Sequence, residues 1–583
     1  MRLIRLLLLS SVLLAAYSTA LLVYLFPWAW AAFGIGAAYA AARKGQALWV
    51  HGTARFATSR DLPRNEGFLI GRMEARPSIW LGIAALFYPR IPSAVACEAF
   101  LSALRRGRKE LVRVPAIHAA IFAPTGSGKG VSCVIPHLLT NPDSCVVLDP
   151  KGENFQKTAN ARRRMGNKVV CLDPFRVVTQ TPDGFNALDF IHADSETAID
   201  DCDALAESLV IRNPNDHDPH WNEKAVQRVG ALAACLTHIT RGCCLRDIAE
   251  VSSNPQQAEG AIQTMIGSNA WDGILAHMGQ ELKQPQDKEL AGILSTVSRH
   301  LKFLNTPLVA ENTKSSSFDP AELVNGKMTV FLVLPTQYLR SHAGLLRMWI
   351  TSMLRAVVRC GTQERRLVHF VLDEAGSLGH LEPIDDALDK LRGYGVRLQL
   401  YYQSIGQLKQ CWPDGRDQTL HSNCTEMVFA VNDPDTAEFV SKRLGERTTI
   451  VNSGGSGGGV SHQPGERTYS ENWNSGWQQV ARKLLKPEEV EQLDERTAIT
   501  FHPGCPPICT TLVRYYEEPN LGRRPSRFWP SVRARLDAVL LLVAAAFVAF
   551  MLTKAAREVS ESNGGGQPSG SAHPFTADYW QMR

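Results

Sequence analysis

The chain has 583 residues, 45% of them hydrophobic and 20% charged, and its 62 Lys and Arg outnumber its 57 Asp and Glu by only five. This composition excludes a collagen-like, low-complexity or wholly disordered protein, and the length predicts about two to four domains with cores of their own. A net charge of +5 on so long a chain does not by itself indicate a nucleic-acid partner. The 13 cysteines lack disulfide-framework and zinc-finger spacing, so we expect reduced thiols in a cytosolic body.

The N-terminal segment carries no charge from Leu6 to Ala42. One straight helix of this length would be about 55 Å long, well beyond the roughly 30 Å hydrocarbon core of a membrane. Pro27 lies within the run beside aromatic residues, and basic residues flank the run on both sides. The sequence therefore predicts a transmembrane hairpin in residues 1–44, with spans near 6–26 and 28–42 and both ends in the cytoplasm. A cleaved signal peptide is the disfavoured alternative, because the second apolar segment is uninterrupted and no clear cleavage site is present.

The central part of the chain alternates short β-rich runs with helical patterns, which is typical of a parallel α/β fold. This pattern fills residues 45–194, gives way to helical periodicity over 195–305, and returns in residues 306–520. The simplest interpretation is a nucleotide-binding α/β domain that contains an inserted all-α domain. The glycine-rich stretch 452–465 is predicted to be a mobile loop. The predicted strands are 116–122, 145–148, 168–172, 328–334, 368–372, 396–401, 427–431 and 498–501.

The C-terminal part, residues 521–583, contains a second apolar run at 538–553, preceded by a cluster of arginines and followed by a polar tail. Its 16 residues are short for a membrane span. The run is therefore either a candidate third transmembrane helix or a helix that docks on the membrane or on a partner.

A phosphate-binding loop is predicted directly after the first of the central strands, where the sequence reads Ala123-Pro-Thr-Gly-Ser-Gly-Lys129-Gly-Val-Ser132. Compared with the pattern G-x-x-x-x-G-K-[ST], it has Ala123 for the first Gly and Gly130 for the Ser or Thr. Two glycines allow backbone N–H groups to curl around phosphate oxygens, and Lys129 supplies a charge to the β- and γ-phosphates. The hydroxyl that normally holds Mg²⁺ would come from Thr125, Ser127 or Ser132, or be replaced by water. The predicted nucleotide-binding residues are Thr125, Gly126, Ser127, Gly128, Lys129, Gly130 and Val131.

A second motif follows another predicted strand, which ends in Asp373 and Glu374. A Walker B strand places one carboxylate at Mg²⁺ and the next where it polarises the attacking water. We therefore predict Asp373 as the metal-side ligand and Glu374 as the general base, while Gln403, at the end of a third strand, is a candidate γ-phosphate sensor. An Asp-Glu pair after a strand is common alone, but here it lies 244 residues after Lys129 in the same α/β body. The two motifs together indicate an ATPase that uses ATP and Mg²⁺.

These residues resemble the type IV secretion coupling proteins, the TraG-like conjugative ATPases. The resemblance runs from His51 to about Tyr516, and its most specific strings are Asp149-Pro-Lys-Gly-Glu153 and Asp373-Glu-Ala-Gly-Ser-Leu-Gly379. It implies a RecA-like P-loop NTPase anchored in the bacterial inner membrane, with a cytoplasmic body that assembles as a ring, expected to be a homo-hexamer. It also implies roles near the nucleotide for Asp149, Lys151 and Glu153. Arg392 resembles an arginine that serves the neighbouring subunit's site; a solvated helix-end charge is the alternative.

Coupling proteins bring a relaxase bound to single-stranded DNA, or protein substrates, to the secretion channel, where ATP hydrolysis drives transfer. The resemblance therefore implies single-stranded DNA, the relaxosome, channel components and inner-membrane lipids as partners. Two alternatives are a receptor for effector proteins that uses ATP for assembly, and a double-stranded DNA translocase of the cell-division type.

Direct sequence support for DNA contact is limited to basic runs at 105–109, 162–164 and 482–486 and to Trp473 and Trp477, which could stack on bases. Scattered basic runs are more often solvated faces of a protein.

Overall fold

The computed structural model describes residues 13–14, 17–18, 52–59, 61–74, 109–212, 218–363, 365–413, 415–463, 466–518 and 521. Those from 52 onward belong to one compact unit, and the four near the N terminus are helical and belong to another. Apart from these four, the predicted spans and the apolar run 538–553 lie outside the described residues. Within the described ranges, no helix is both long enough and apolar enough to cross a membrane.

The described residues form 13 strands, 11 of which make one sheet in the order β2-β1-β13-β12-β9-β3-β8-β7-β4-β6-β5. The seven strands from β9 to β5 in this order are parallel, whereas β2, β1, β13 and β12 continue the sheet in antiparallel fashion. The strands are β1 (Phe68–Glu74), β2 (Lys109–Val114), β3 (His118–Phe122), β4 (Ser144–Leu148), β5 (Lys168–Leu172), β6 (Met328–Leu332), β7 (Val368–Leu372), β8 (Val396–Tyr402), β9 (Cys424–Phe429), β10 (Glu446–Gln463), β11 (Glu466–Lys483), β12 (Thr497–Phe501) and β13 (Ile508–Thr511).

The parallel strands form because short apolar runs can be buried on both faces of a sheet. Every residue of β3 and of β4 is buried. Alternate residues enter two separate hydrophobic clusters: Ala120 and Phe122 pack on one face, and Ala119 and Ile121 on the other. The sheet is thus the middle layer of a three-layer α/β structure.

Sixteen α-helices are present in the described residues from 52 onward, and eight of them, α3 to α10, follow one another between β5 and β6. The domain limits 195 and 305 given above remain a prediction. The helices are α1 (Ile135–Thr140), α2 (Glu153–Arg164), α3 (Ala198–Leu209), α4 (His220–Ile239), α5 (Leu245–Ser253), α6 (Pro255–Ile266), α7 (Ile274–Lys283), α8 (Asp287–Leu301), α9 (Pro307–Asn312), α10 (Glu322–Asn325), α11 (Ala343–Arg359), α12 (Glu382–Asp389), α13 (Ile405–Cys411), α14 (Asp417–Asn423), α15 (Pro434–Leu444) and α16 (Pro487–Glu491).

The helical region is joined to the sheet by a continuous hydrophobic cluster that includes the fully buried Trp349 of α11 and the core residues of α3 and α4. Small residues allow close approach of the helices: a Cβ atom on Gly230 of α4 would lie 2.4 Å from Asp203 Oδ1 of α3. Helix α11 packs against α3 and against the turn Ala375–Leu378 that follows β7, so it is one of the elements that join the helical region to the α/β body.

The prediction of a mobile loop at 452–465 is wrong for its described residues. The stretch from 452 to 463 belongs to β10, which pairs with β11 in a separate two-stranded ribbon from Glu446↔Lys483 to Gln463↔Glu466. Backbone pairing needs no side chain, so glycine content alone did not exclude a strand here. At its base, the ribbon is bridged by Thr53, which pairs with Arg447.

Candidate nucleotide site

Four predicted site residues meet at one edge of the sheet. The strands β3, β8, β7 and β4 are parallel neighbours in register, so the residues that follow their carboxyl ends lie side by side. These residues are Lys129 in the loop after β3, Gln403 after β8, Asp373 after β7 and Asp149 after β4. In open parallel sheets this edge is where ligands bind.

The loop after β3 has the backbone of a phosphate-binding loop. Gly126 and Gly128 have φ angles of 86° and 95°, which residues with a side chain rarely adopt. Directly after Lys129 the chain forms a π-helical turn, Gly130–Val134, that runs into α1. The first N–H groups of this helical segment have no partners within it, so they are available to an anion.

Lys129 is buried beneath this loop, and its Nζ donates a hydrogen bond to the Ala123 carbonyl at 2.6 Å. Burial lowers the pKa of Lys129, and the charges of Glu374 and Asp373 oppose that shift. The ammonium group therefore lies close to both predicted carboxylates, and it has three protons with which to bind further acceptors.

Asp373 and Glu374 are partly buried at the end of β7. Burial raises the pKa of Asp373 to about 6, the Glu374 charge raises it further, and Lys129 opposes the shift. Two carboxylates held together in this way favour a bound cation, and oxygen donors of this type suit Mg²⁺.

Glu374 has a left-handed backbone, with φ 69° and ψ 47°. A non-glycine residue in this conformation costs about 1–3 kcal/mol and is found where the surroundings fix it. Here Ser377 donates two hydrogen bonds to the Glu374 carbonyl, from its backbone N–H (2.9 Å) and its hydroxyl (2.8 Å). Gln403 Nε2 donates to the Glu374 carboxylate at 3.1 Å. The turn and Gln403 together set the direction of the carboxylate.

Gln407 is a site residue that the sequence analysis missed. Its Oε1 accepts a hydrogen bond from the Gln403 backbone N–H at 2.7 Å, and its amide lies against Gly376, where a Cβ atom would be only 2.5 Å from Nε2. Gln407 therefore fixes Gln403 in front of Glu374. The available signal was Ser404 followed three residues later by Gln407, a pattern typical of a helix N-terminus.

Asp149 is 1% exposed and caps α2, since its Oδ2 accepts a hydrogen bond from the Phe155 N–H at 2.8 Å. Burial raises the pKa of Asp149 to about 6, although hydrogen bonds from the backbone N–H groups of Phe155, Asn154 and Gly152 lower it. Lys151 and Glu153 are exposed, and the charge of Lys151 lowers the pKa of both Lys129 and Asp373. Asp149 thus shapes the turn, while Lys151 is near the predicted phosphate position.

Arg392 lies away from this group. It is exposed in the 3₁₀ turn Leu391–Tyr394, which precedes β8 and therefore sits at the amino edge of the sheet. Its charge acts there on His118 and Arg397. The fold does not bring Arg392 to the nucleotide residues of its own chain, and its service to a neighbouring subunit remains a prediction.

The basic runs considered for DNA contact are partly used within the protein. Arg162 is fully buried and donates to Thr329 Oγ1 at 2.9 Å, so its assignment to a DNA-facing cluster is wrong. Arg482 pairs with Glu489 at 2.5 Å. Arg163 and Arg164 remain exposed.

Comparison with known proteins gives consistent matches. A family model for the type IV secretory system, conjugative DNA transfer, matches residues 95–541. Conjugal transfer protein TraG of Rhizobium radiobacter is 30% identical over 429 residues, which are 72% of this chain and 65% of TraG. The type IV secretion system-coupling protein VirD4 of Bartonella quintana is 27% identical over 430 residues, 71% of this chain and 66% of VirD4. The chain thus spans just under two thirds of the length of these curated relatives.

Among solved structures, the plasmid coupling protein TrwB in complex with ADP and Mg²⁺ superposes with a TM-score of 0.51 at 20% identity, over 68% of this chain and 85% of TrwB. This likeness, together with the mixed α/β sheet, identifies the fold as that of a RecA-like α/β NTPase.

Proposed function

The chain belongs to the type IV secretory system family for conjugative DNA transfer, and from this premise we propose that it is the coupling ATPase of such a system. It recruits relaxase-bound single-stranded DNA, or protein substrates, to the secretion channel and uses ATP hydrolysis to drive their transfer. The observation that carries the proposal is the meeting of Lys129, Asp373, Glu374 and Gln403 at the carboxyl edge of the parallel strands.

The loop is open beside two of its glycines. A Cβ atom on Gly126 or Gly130 would meet no atom within 4 Å, so the backbone there is open to a ligand. We propose that the loop N–H groups and Lys129 bind the β- and γ-phosphates. Asp373 would hold Mg²⁺, which when bound offsets the negative charge of the phosphate oxygens.

Glu374 is the proposed general base. It accepts a proton from the water whose oxygen attacks the γ-phosphorus, and the bond from that phosphorus to the leaving ADP oxygen breaks. Gln403 holds the Glu374 carboxylate by a 3.1 Å hydrogen bond, and we propose that it also contacts the γ-phosphate. Loss of the γ-phosphate would then change the position of Gln403 and, through it, that of the Glu374 carboxylate.

The larger assembly is proposed on the family relationship. Residues 1–44 anchor the protein in the inner membrane, the body lies in the cytoplasm, and six copies form a ring. Arg392, exposed at the amino edge, would complete the site of the neighbouring copy.

The test is Lys129→Ala in the full-length protein. Because Lys129 supplies the cation for the phosphates, we expect ATP hydrolysis and substrate transfer to be abolished, while folding and membrane insertion are retained. Lys157→Ala, at an exposed lysine of α2, is the matched control and should behave like the wild type. Transfer by Lys129→Ala at the wild-type level would overturn the motor proposal.

The nature of the cargo is tested by the ATPase rate of the wild-type protein with single-stranded DNA, with double-stranded DNA and without DNA. Stimulation by single strands supports the coupling function. Stimulation by duplex alone would indicate a double-stranded DNA translocase, and no stimulation by either would favour an effector-protein receptor.

A further inference from the structure

The turn that follows Glu374 is held at its far end by a single buried arginine. Arg347, on α11, is only 5% exposed. Its Nη1 donates to the carbonyl of Leu378 at 2.9 Å and to that of His380 at 2.6 Å. Between these two residues lies Gly379, which has a left-handed φ of 61°. One guanidinium nitrogen therefore binds the residues on both sides of Gly379, where the turn ends.

The same guanidinium also reaches the helical region. Arg347 Nε donates to the carbonyl of Ser208 at 3.2 Å. Ser208 lies in the last turn of α3, where helix carbonyls have no partner inside the helix. Arg347 thus supplies a donor that α3 needs, and it joins α3 to the segment that follows the proposed general base.

Apolar packing also joins α3 to α11, but beside Arg347 this packing is incomplete. A cavity of about 400 Å³ lies between α3, α11 and the start of α12, and its lining includes Arg347, Thr351, Leu354 and Pro383. Where side chains do not fill the space between elements, directed hydrogen bonds fix their relative positions. Burial lowers the pKa of Arg347 to about 10, which is still well above neutral pH. The side chain is therefore cationic, and a charged donor binds the three carbonyl oxygens strongly.

We propose that Arg347 is a positioning residue for Glu374: it fixes Leu378 and His380 against the end of α3, and so holds the turn that keeps Glu374 in its left-handed conformation. The inference rests on the proposed function, in which Glu374 is the general base. Arg347 itself touches neither substrate nor base. It acts on the rate of the chemical step and leaves nucleotide binding to the phosphate loop.

The experiment compares Arg347→Lys with the wild type in the full-length protein. A lysine keeps the charge but lacks the fork that reaches all three carbonyls. We expect kcat for ATP to fall about tenfold or more, with KM within about twofold of the wild type, because the loss is confined to the transition state. The matched control is Asp201→Asn. It removes the ion pairs that join Arg355 and Arg359 of α11 to α3 and does not touch residues 378–380, so its kcat should stay within about twofold.

A double-mutant cycle separates positioning from general stabilisation of the fold. If Arg347 acts through Glu374, Arg347→Lys has no further effect on the residual rate of Glu374→Gln. An equal loss in both backgrounds, or a wild-type kcat in Arg347→Lys, would overturn the inference.

Should Arg347→Lys not fold, Gly379→Ala replaces it in the same measurements. A methyl group there meets no atom within 4 Å, so only the left-handed backbone is perturbed. A reduced kcat with unchanged KM supports the inference, and an unchanged kcat contradicts it. A wild-type protein without ATPase activity would instead refute the proposed function.

Discussion

The two ends of the parallel strands use buried charge in opposite ways. At the amino end, Arg162 is fully buried and its donors are matched by acceptors, among them Thr329 Oγ1 at 2.9 Å and Asn167 Oδ1 at 3.0 Å. At the carboxyl end, Asp373 and Glu374 repel each other, and burial raises the pKa of Asp373 to about 6. The comparison teaches that the buried charge of Arg162 supports the fold, whereas the buried charge of Asp373 opposes it. Such a cost in stability is expected of the proposed magnesium ligand.

The largest effect on stability is expected from Arg162→Met. Besides its side-chain partners, Arg162 binds the carbonyls of Asn141 and Asp143, and the substitution removes the donor from these partly buried acceptors. We expect the free energy of unfolding to fall by about 3 kcal/mol or more. Chemical denaturation of the purified protein measures the change. Arg163→Met, at the exposed next position, should change it by less than about 0.5 kcal/mol. If the two variants lowered the free energy of unfolding equally, the buried charge of Arg162 would not be a specific support of the fold.

Asp373→Asn should raise the free energy of unfolding, whereas Arg162→Met should lower it. The pKa of Asp373 is about 6 in the folded protein and 3.8 as a reference value. The folded state therefore binds the proton more tightly, so this group lowers stability as pH rises from about 4 to 6 and keeps it low above pH 6.

At pH 7 the asparagine variant should thus be about 1–2 kcal/mol more stable than the wild type, with the difference vanishing near pH 4. It should also lose ATP hydrolysis. The measurement is thermal unfolding across pH without nucleotide, with Asp194→Asn, at an exposed site, as the control. A destabilised Asp373→Asn at pH 7 would show that the carboxyl end does not oppose folding.

The smallest effect is expected from Gly130→Ser, which restores the hydroxyl of the usual P-loop pattern. A Cβ atom at Gly130 meets nothing within 4 Å, so stability should change by less than about 0.5 kcal/mol. Gly128→Ala is the contrast, because Gly128 has φ 95° and its Cβ would lie 3.3 Å from Val131 Cγ2. Nucleotide binding, followed by the fluorescence of a labelled ATP analogue, should be retained in the first variant and lost in the second. Loss in both would mean that the space beside Gly130 is needed by the ligand.

The parts of the molecule that depend on local sequence were predictable. The bounds of β5 and β7 agree with the predicted runs 168–172 and 368–372, since a buried parallel strand needs a short apolar segment. The phosphate loop and the Asp-Glu pair each lie within about ten residues, so their spacing could be recognised directly. Their meeting follows from the carboxyl ends of parallel strands sharing one edge.

Features that depend on long-range contacts were not predictable. Arg347 bonds to Ser208, Leu378 and His380, which are separated from it by 31 to 139 residues. No local pattern marks it as part of the site. The antiparallel strands β1 and β2 were missed for a related reason: their pairs join distant parts of the chain, as in Phe68↔Val114 and Arg72↔Thr511. Strand β13 was also missed, although it pairs with its neighbour in sequence, β12.

Arg162 is an intermediate case. A run of three arginines suggested a basic surface, yet successive helical residues point about 100° apart, so only some of them reach solvent. Thr158 and Asn154, which lie four and eight residues earlier, are also buried. This spacing held the information that Arg162 faces the sheet.

The ribbon of β10 and β11 has long strand edges that are not paired within the ribbon. Each strand has 18 residues, about 60 Å of extended chain, and a two-stranded sheet necessarily has an outer edge on both strands. Such edges invite pairing with strands of other molecules and hence aggregation. The five glycines between 454 and 459 have low β-propensity and offer little for an incoming strand to pack against. The composition that resembled a loop thus lowers the β-propensity of one of the two exposed strands.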